Sequence, residues 1–396
     1  MTTENAITAE APAVDQTKAD LLVIGSAIPS EQFEAVLSKL AEAFSVESVV
    51  VASQNQFSAN GPVNLRIIST FHSSTARTLT PADFVSAYEN GKEHGARAIL
   101  LLGPGADSLK PQALRQMADA ALDGSMDLVS PRYTLSSHAG LINSAILYPL
   151  TRALFATRTR FPLTIDIGVS MRMAERLALA GKRIATANQE DALLWPVNEA
   201  MVAGFSIDEV DVGARDIPQP SDPDINTILA LVTGSLFADI EAKAAFWQRA
   251  RRMPAAGPPV AETSSADGTA DVARMVEAFR LANANLQDIW SLVLPPNSLL
   301  ALKRISILEA AVFRMPENLW ARIIYDFVVA YRLRTINRGH LLGTLIPLYL
   351  AWVASHLNVT ASGTSSERHI EAVASAFEAD KPYLVSRWRW PDRFNS

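Results

Sequence analysis

The residues best placed to do chemistry are Gly103, Pro104, Gly105, Ala106 and Asp107, which follow directly on the aliphatic run Ala98 to Leu102. If that run is a strand of an open α/β sheet, the loop lies beyond its carboxyl end, where such sheets bind ligands. Competing chemistries fall away. The histidines His72, His94, His138, His340, His356 and His369 show no HExxH or other zinc-ligand spacing. The chain has no GxSxG nucleophile elbow and no Walker loop, and Gly103-Pro104-Gly105 is too short for a dinucleotide fingerprint. Cysteine is absent, which removes disulfides, thiolate metal sites and cysteine nucleophiles and fits a reducing, cytoplasmic compartment.

The elements that must position this loop are legible as short aliphatic runs alternating with helix-period segments, the pattern of a parallel sheet covered by helices. Strands are expected at Leu21 to Gly25, Ser48 to Ala52, Leu65 to Ser69, Ala98 to Leu102 and Leu128 to Tyr133. Ser30 opens an amphipathic helix to Phe44, and Thr80, Pro81 and Ala82 read as a cap, a first-turn proline and a helix start. After Pro218, Pro220 and Pro223 a long helical segment runs to about Arg252. Further helices are expected at Val272 to Trp290, Ser298 to Arg314, Glu317 to Arg334 and Leu341 to His356.

A chain of 396 residues exceeds what one core usually organises, so two packed regions are expected. Residues 1–18 lack the basic start and apolar core of a signal peptide and read as a disordered tail. Residues 19–252 form the α/β domain, 253–268 (MPAAGPPVAETSSADG) a linker, and 269–396 a helical region. The most apolar stretch, Leu341 to Ser355, carries Pro347 and stops short of the ~20 residues a membrane-spanning helix needs, so no transmembrane segment is expected. Residues 1 to 250 hold 19 Lys+Arg against 28 Asp+Glu, and those after 250 hold 16 against 13. This is too little clustered positive charge for nucleic-acid binding.

The segment DLVSPRYTLSSHAGLINSAILYPLTRALFATRTRFPLTIDIGVSMRMAERL, from Asp127 to Leu177, resembles family-2-type glycosyltransferases of the mannosylglycerate and glucosyl-phosphoglycerate synthase group. Relatives carry a strand ending in PxY, a YPLTRALY-like helix and a QPIGGDFG-like turn. The segment Leu193 to Pro223 and the stretch MPENLWARIIYDFVVAYRLRTINRGHLLGTLIPLYL extend the resemblance over about residues 20 to 357. It implies a GT-A fold, a Rossmann-like sheet flanked by helices with an all-α C-terminal region. It also implies transfer of a sugar from a nucleotide-sugar to a small, anionic acceptor, with a retaining outcome, and a homodimer built on the C-terminal helices. The alternative is a catalytically inactive relative kept as a ligand-binding or protein-interaction module.

Such enzymes hold Mg²⁺ or Mn²⁺ with an Asp-x-Asp pair, so that the cation neutralises the departing diphosphate. Here the expected acids fall on Gly103 and Gly105, leaving Asp107 as the one nearby carboxylate; with an insertion in the loop, Gly105-Ala106-Asp107 would align instead and keep one of the two acids. Pro218 stands where relatives place a metal-binding histidine, and SSTARTLT replaces a glycine-lysine turn. No intact metal site is therefore expected, with Asp107 at most a residual ligand. Arg132, Arg152, Arg158 and Arg160 are cations that could clamp phosphate instead, Arg132 foremost. Asp166 matches the acid of the GGDFG-like turn and is the catalytic candidate, orienting sugar or acceptor; the plainer reading makes it the cap of a helix from Gly168 to Leu179. Asp107 has a similar plain reading as the cap of a helix starting near Pro111. Asp191, Trp195 and Glu199 share one helical face, with Trp195 read as core. The acceptor side falls on Arg322, Tyr325 and Arg338, against the alternative of ordinary surface pairing such as Arg322 with Asp326.

Overall fold

The computed structural model describes residues 19–25, 28–45, 48–53, 65–69, 79–136, 138–187, 192–215, 222–250 and 271–391. The expected tail at 1–18, the linker at 253–268, Asp191, Pro218 and most of SSTARTLT lie outside these residues. Seven strands form one sheet: β1 (Leu21–Ile24), β2 (Val49–Ser53), β3 (Arg66–Ser69), β4 (Ala98–Leu101), β5 (Leu128–Thr134), β6 (Ile167–Ser170) and β7 (Ile207–Ala214). Their order is β3-β2-β1-β4-β6-β5-β7. Strands β1, β2 and β4 are buried along their whole length, which is why they read as continuous aliphatic runs rather than alternating ones.

The five expected strands are present within a residue or two. The sheet is mixed rather than parallel, because β6 runs antiparallel to both β4 and β5. Residues 168–170 of β6 fall inside the segment read as a helix from Gly168; that helix, α5 (Met171–Thr186), starts later and is capped by the Ser170 hydroxyl. Strand β7 carries Asp208, Glu209 and Asp211, residues depleted in strands, and is an edge strand with one wet face.

Helices α1 (Ser30–Ala43) and α3 (Pro111–Leu122) cover one face of the sheet, and α2 (Pro81–Glu93) with α5 covers the other. The α2 start is the expected one: Thr80 accepts from the Asp83 amide while the Asp83 carboxylate accepts from the Thr80 amide at 2.7 Å.

The helical region is built from α4 (Tyr148–Phe155), α7 (Asp222–Ala242), α8 (Ala244–Trp247), α9 (Val272–Asn285), α10 (Gln287–Ser291), α11 (Pro296–Ser306), α12 (Glu317–Leu333), α13 (Arg338–Ala361) and α14 (Ser366–Arg389). A short helix α6 (Pro196–Ala203) leads into β7. One apolar cluster joins α4 and α7 to α9, α12, α13 and α14, with Trp247, Trp290, Trp320 and Trp352 fully buried in it. The segment read as one helix to Arg252 breaks at Lys243, between α7 and α8. The expected helix at 272–290 is two helices, α9 and α10, and that at 298–314 ends at Ser306. Helix α13 is longer than expected and keeps Pro347 inside it; α7 and α13 are each long and apolar enough to cross a membrane by length and composition. Leu341, Leu345, Leu348, Trp352 and Leu357 of α13 lie in the protein core, which accounts for that apolarity.

Candidate functional site

The carboxyl end of β4 feeds Gly103 to Asp107 into a tight turn. Gly103 is buried against the segment that leads into β6: a Cβ there would sit 2.8 Å from the Ile165 carbonyl oxygen and 3.0 Å from its Cβ. Gly105 takes φ 79°, the left-handed conformation that glycine adopts at little cost, and its amide donates to Gln32 Oε1 at 2.8 Å. A single turn of 3-10 helix, Ala106–Ser108, follows. Asp107 is in that turn, half-buried, and the Lys39 ammonium donates to its carbonyl oxygen. It does not cap α3, whose first residue is preceded by Lys110 with no side-chain cap.

Asp166 sits beside this loop, fully buried just before β6, and so cannot be the cap of the helix that follows. Its Oδ1 accepts from the Gly103 amide at 3.0 Å and its Oδ2 from the Tyr133 hydroxyl at 2.9 Å. The remaining partner is Arg215, at the end of β7. Its Nε donates to Asp166 Oδ2 at 2.9 Å and its Nη2 to Oδ1 at 3.1 Å, a two-pronged pair between side chains that are both 0% exposed. The same guanidinium reaches back to the loop, with Nη2 donating to the Pro104 carbonyl at 2.9 Å and Nη1 to Ser108 Oγ at 3.3 Å. One arginine therefore ties together the ends of β4 and β7 and the approach to β6. Tyr133, with its hydroxyl also 2.9 Å from Thr164 Oγ1, is held far from ionisation by burial and by the Asp166 charge.

This arrangement does not fit a divalent cation. Both Asp166 oxygens are taken by N–H and O–H donors, and the guanidinium places a positive charge where a cation would have to approach. The loop brings glycine backbone rather than carboxylates to the same point. Arg215 is not among the sequence candidates, although it lies in the segment Leu193 to Pro223; its partner is 49 residues away and only the fold makes the pair.

The other sequence candidates are elsewhere. Arg132, on β5, is partly exposed and lies 3.9 Å from Glu209 of β7. Glu209 also accepts from the Arg160 amide at 2.6 Å, and burial pushes its carboxyl up to about 7 despite these cations. Arg160 is committed to Glu367 at 2.9 Å, and Arg152 to Glu371 at 2.6 Å and Glu378 at 3.1 Å, so both anchor α14 to the rest of the chain. Arg158 keeps one buried guanidinium nitrogen without a partner. Trp195 is core, as read, and Glu199 pairs with Lys243 and Arg176.

On the expected acceptor side, Tyr325 is fully buried and donates to the Phe377 carbonyl at 2.6 Å, which spends its hydroxyl inside the helical core. Arg322 pairs with Asp380 of α14 at 3.0 Å and not with Asp326, whose carboxylate is held by Arg387 and Tyr383. Arg338 opens α13, donates to Glu241 at 2.7 Å and lies over the Tyr331 ring. The structure thus brings Gly103, Gly105, Asp107 and Asp166 together, and places Arg132, Arg322, Tyr325 and Arg338 in separate pairings.

No protein-family model matches the chain, and no curated protein matches it. Solved structures of glucosyl-3-phosphoglycerate synthase from Mycobacterium tuberculosis do. The complex with Mn²⁺, uridine diphosphate and glucosyl-3-phosphoglycerate is 12% identical, over 59% of this chain and 85% of that one, with a TM-score of 0.37. The complex with Mg²⁺ and uridine diphosphate is also 12% identical, over 56% and 78%, with a TM-score of 0.38. A mycobacterial protein is 11% identical over 57% and 75%, with a TM-score of 0.37.

Proposed function

We propose that this chain is a GT-A-type nucleotide-sugar transferase that handles its donor without a divalent cation and passes the sugar to a small, anionic acceptor. The observation that carries the cation-free part is the buried Arg215–Asp166 pair at the loop after β4. The resemblance of Asp127 to Leu177 to sugar-transferring synthases supports the reaction class. Relatives neutralise the departing diphosphate with a metal held by acids; here Arg215 is buried and neutralised by Asp166, so a cation that meets the diphosphate has to come from an exposed side chain. Arg132, partly exposed on β5, is the donor-phosphate candidate, and Asp107 the remaining carboxylate of the loop.

A second reading, a binding module without turnover, is favoured by one feature: Arg215 makes four hydrogen bonds within the protein and is fully buried, so it touches no ligand while the loop keeps this shape. Thermal-shift titration with a panel of nucleoside diphosphates and their sugars, in EDTA, separates the readings when joined to a hydrolysis assay. Stabilisation in EDTA with turnover supports transfer, because ligand binding to the folded state must raise the melting temperature. Stabilisation without turnover supports the module. No shift with any sugar nucleotide, with or without Mn²⁺, overturns both.

A further inference from the structure

Helix α11 buries Leu302 and Ile305 yet leaves Leu300, and Ile307 just after it, on its outer side. Its buried residues Ser298, Leu302 and Ile305 define the inward face. At 3.6 residues per turn, Leu300 and the C-terminal Ile307 then point directly outward, with Lys303 on one side of that stripe and Arg304 on the other. Leu300 is 47% exposed and Ile307 80%. Single exposed aliphatic residues are ordinary, but these belong to a concentration. Of the eight strongly exposed large apolar residues among the described residues, five fall between 281 and 312: Leu281, Leu292, Leu300, Ile307 and Val312. Leu292 precedes α11 and Val312 follows it. On α9, Arg280 donates to the Ser306 and Leu308 carbonyls, which ties that helix to the end of α11.

Charge selects the occupant. Lys303 and Arg304 are exposed on α11, with Glu309 the one acid between Pro296 and Arg314, while Arg314 is paired with Glu317 at 3.1 Å. A two-fold contact about this face would set Lys303 and Arg304 against their own copies, which disfavours a second chain. Long cationic side chains flanking outward aliphatic ones match an anionic bilayer surface, where the aliphatic groups enter the acyl boundary and the cations reach the headgroups. We propose that the outward face of α11 docks the protein on the surface of an anionic membrane. The contact is peripheral and independent of the reaction carried out by the sheet.

Sedimentation of the full chain with phosphatidylcholine vesicles, with and without phosphatidylglycerol, tests this. The protein should pellet only with the anionic vesicles, and less so in high salt. The pair Lys303→Glu and Arg304→Glu should weaken partitioning by about fivefold or more per cation. The pair Leu300→Gln and Ile307→Gln should abolish it, and because all four side chains are exposed, melting temperatures should stay unchanged. Three results would overturn the proposal. They are no pelleting of wild type with anionic vesicles, equal pelleting of wild type and both variants, and a solution dimer that Leu300→Gln with Ile307→Gln dissolves.

Discussion

The guanidinium of Arg215 lies in a two-pronged contact with the Asp166 carboxylate, Nε to Oδ2 at 2.9 Å and Nη2 to Oδ1 at 3.1 Å, with both side chains out of contact with solvent. A buried pair of this kind costs desolvation on both sides, and its geometry must be good for it to persist. The extra bonds from Gly103, Tyr133, Pro104 and Ser108 complete the donors and acceptors around it. The pair is thus the keystone of the strand-end loop.

Arg215→Met should therefore lower stability by about 3–5 kcal/mol, because it strands a buried carboxylate. Adding Asp166→Asn should recover a large part of that loss. Urea midpoints of the two single variants and the double variant give the coupling directly. Additive losses would mean that the two side chains do not act as a pair.

Writing acids back into the loop should fail as a route to a metal site. Gly103→Asp must force a side chain to within 2.8 Å of the Ile165 carbonyl, and Gly105→Asp must hold φ near 79°. Each is expected to cost on the order of 1–3 kcal/mol, and the double variant should gain no Mn²⁺ binding. A folded double variant that binds Mn²⁺ stoichiometrically in calorimetry would show that the loop rearranges around the acids.

Why the sequence yields the loop but not its partner follows from where the information lies. Aliphatic runs and the Thr80-Pro81-Asp83 start are local signals, and the structure has strands and a capped helix there. The strand β6 is four residues with no room for a period, and β7 alternates acids with valines, so neither announces itself. Helix α14 went undrawn because Ile370, Val373, Phe377 and Leu384 are spread through a charged segment interrupted by Pro382. What holds it is distant: Arg152 and Arg160, read as phosphate clamps, meet acids more than two hundred residues later. Charged side chains declare their type in a sequence, while their partners are a property of the fold.

Glu209 should impose a pH slope on stability. Burial raises its carboxyl from the ordinary 4.5 to about 7, so between those values the folded chain holds a proton that the unfolded chain has released. Stability contributed by this group then falls as pH rises through that window, by about 3 kcal/mol in all. Glu209→Gln should remove the slope, read from urea midpoints across the window. An unchanged slope would place the titration on another group.

The opposite slope is expected from the histidine pair of the helical core. His356 and His369 meet Nδ1 to Nδ1 at 2.7 Å, both buried and both stacked near Trp352. One nitrogen must donate and the other accept, so the contact is lost if both rings are protonated. His356 Nε2 lies 3.1 Å from Ser366 Oγ, and His369 Nε2 lies 3.7 Å from Glu317. Burial lowers the His369 value below 6.5, with Arg314 acting in the same direction and Glu317 against it. Below 6.5 the unfolded chain therefore binds more protons than the folded one, and stability from this pair is lost as pH falls. Because the pair joins the start of α14 to α13, the loss should appear first as opening of α14. Amide exchange at about pH 5 should be faster in residues 366–389 than in β1, β2 and β4, and the difference should shrink in His369→Gln, which keeps a donor and an acceptor without the charge. Uniform exchange across sheet and helix at low pH would show that the pair has no part in acid opening.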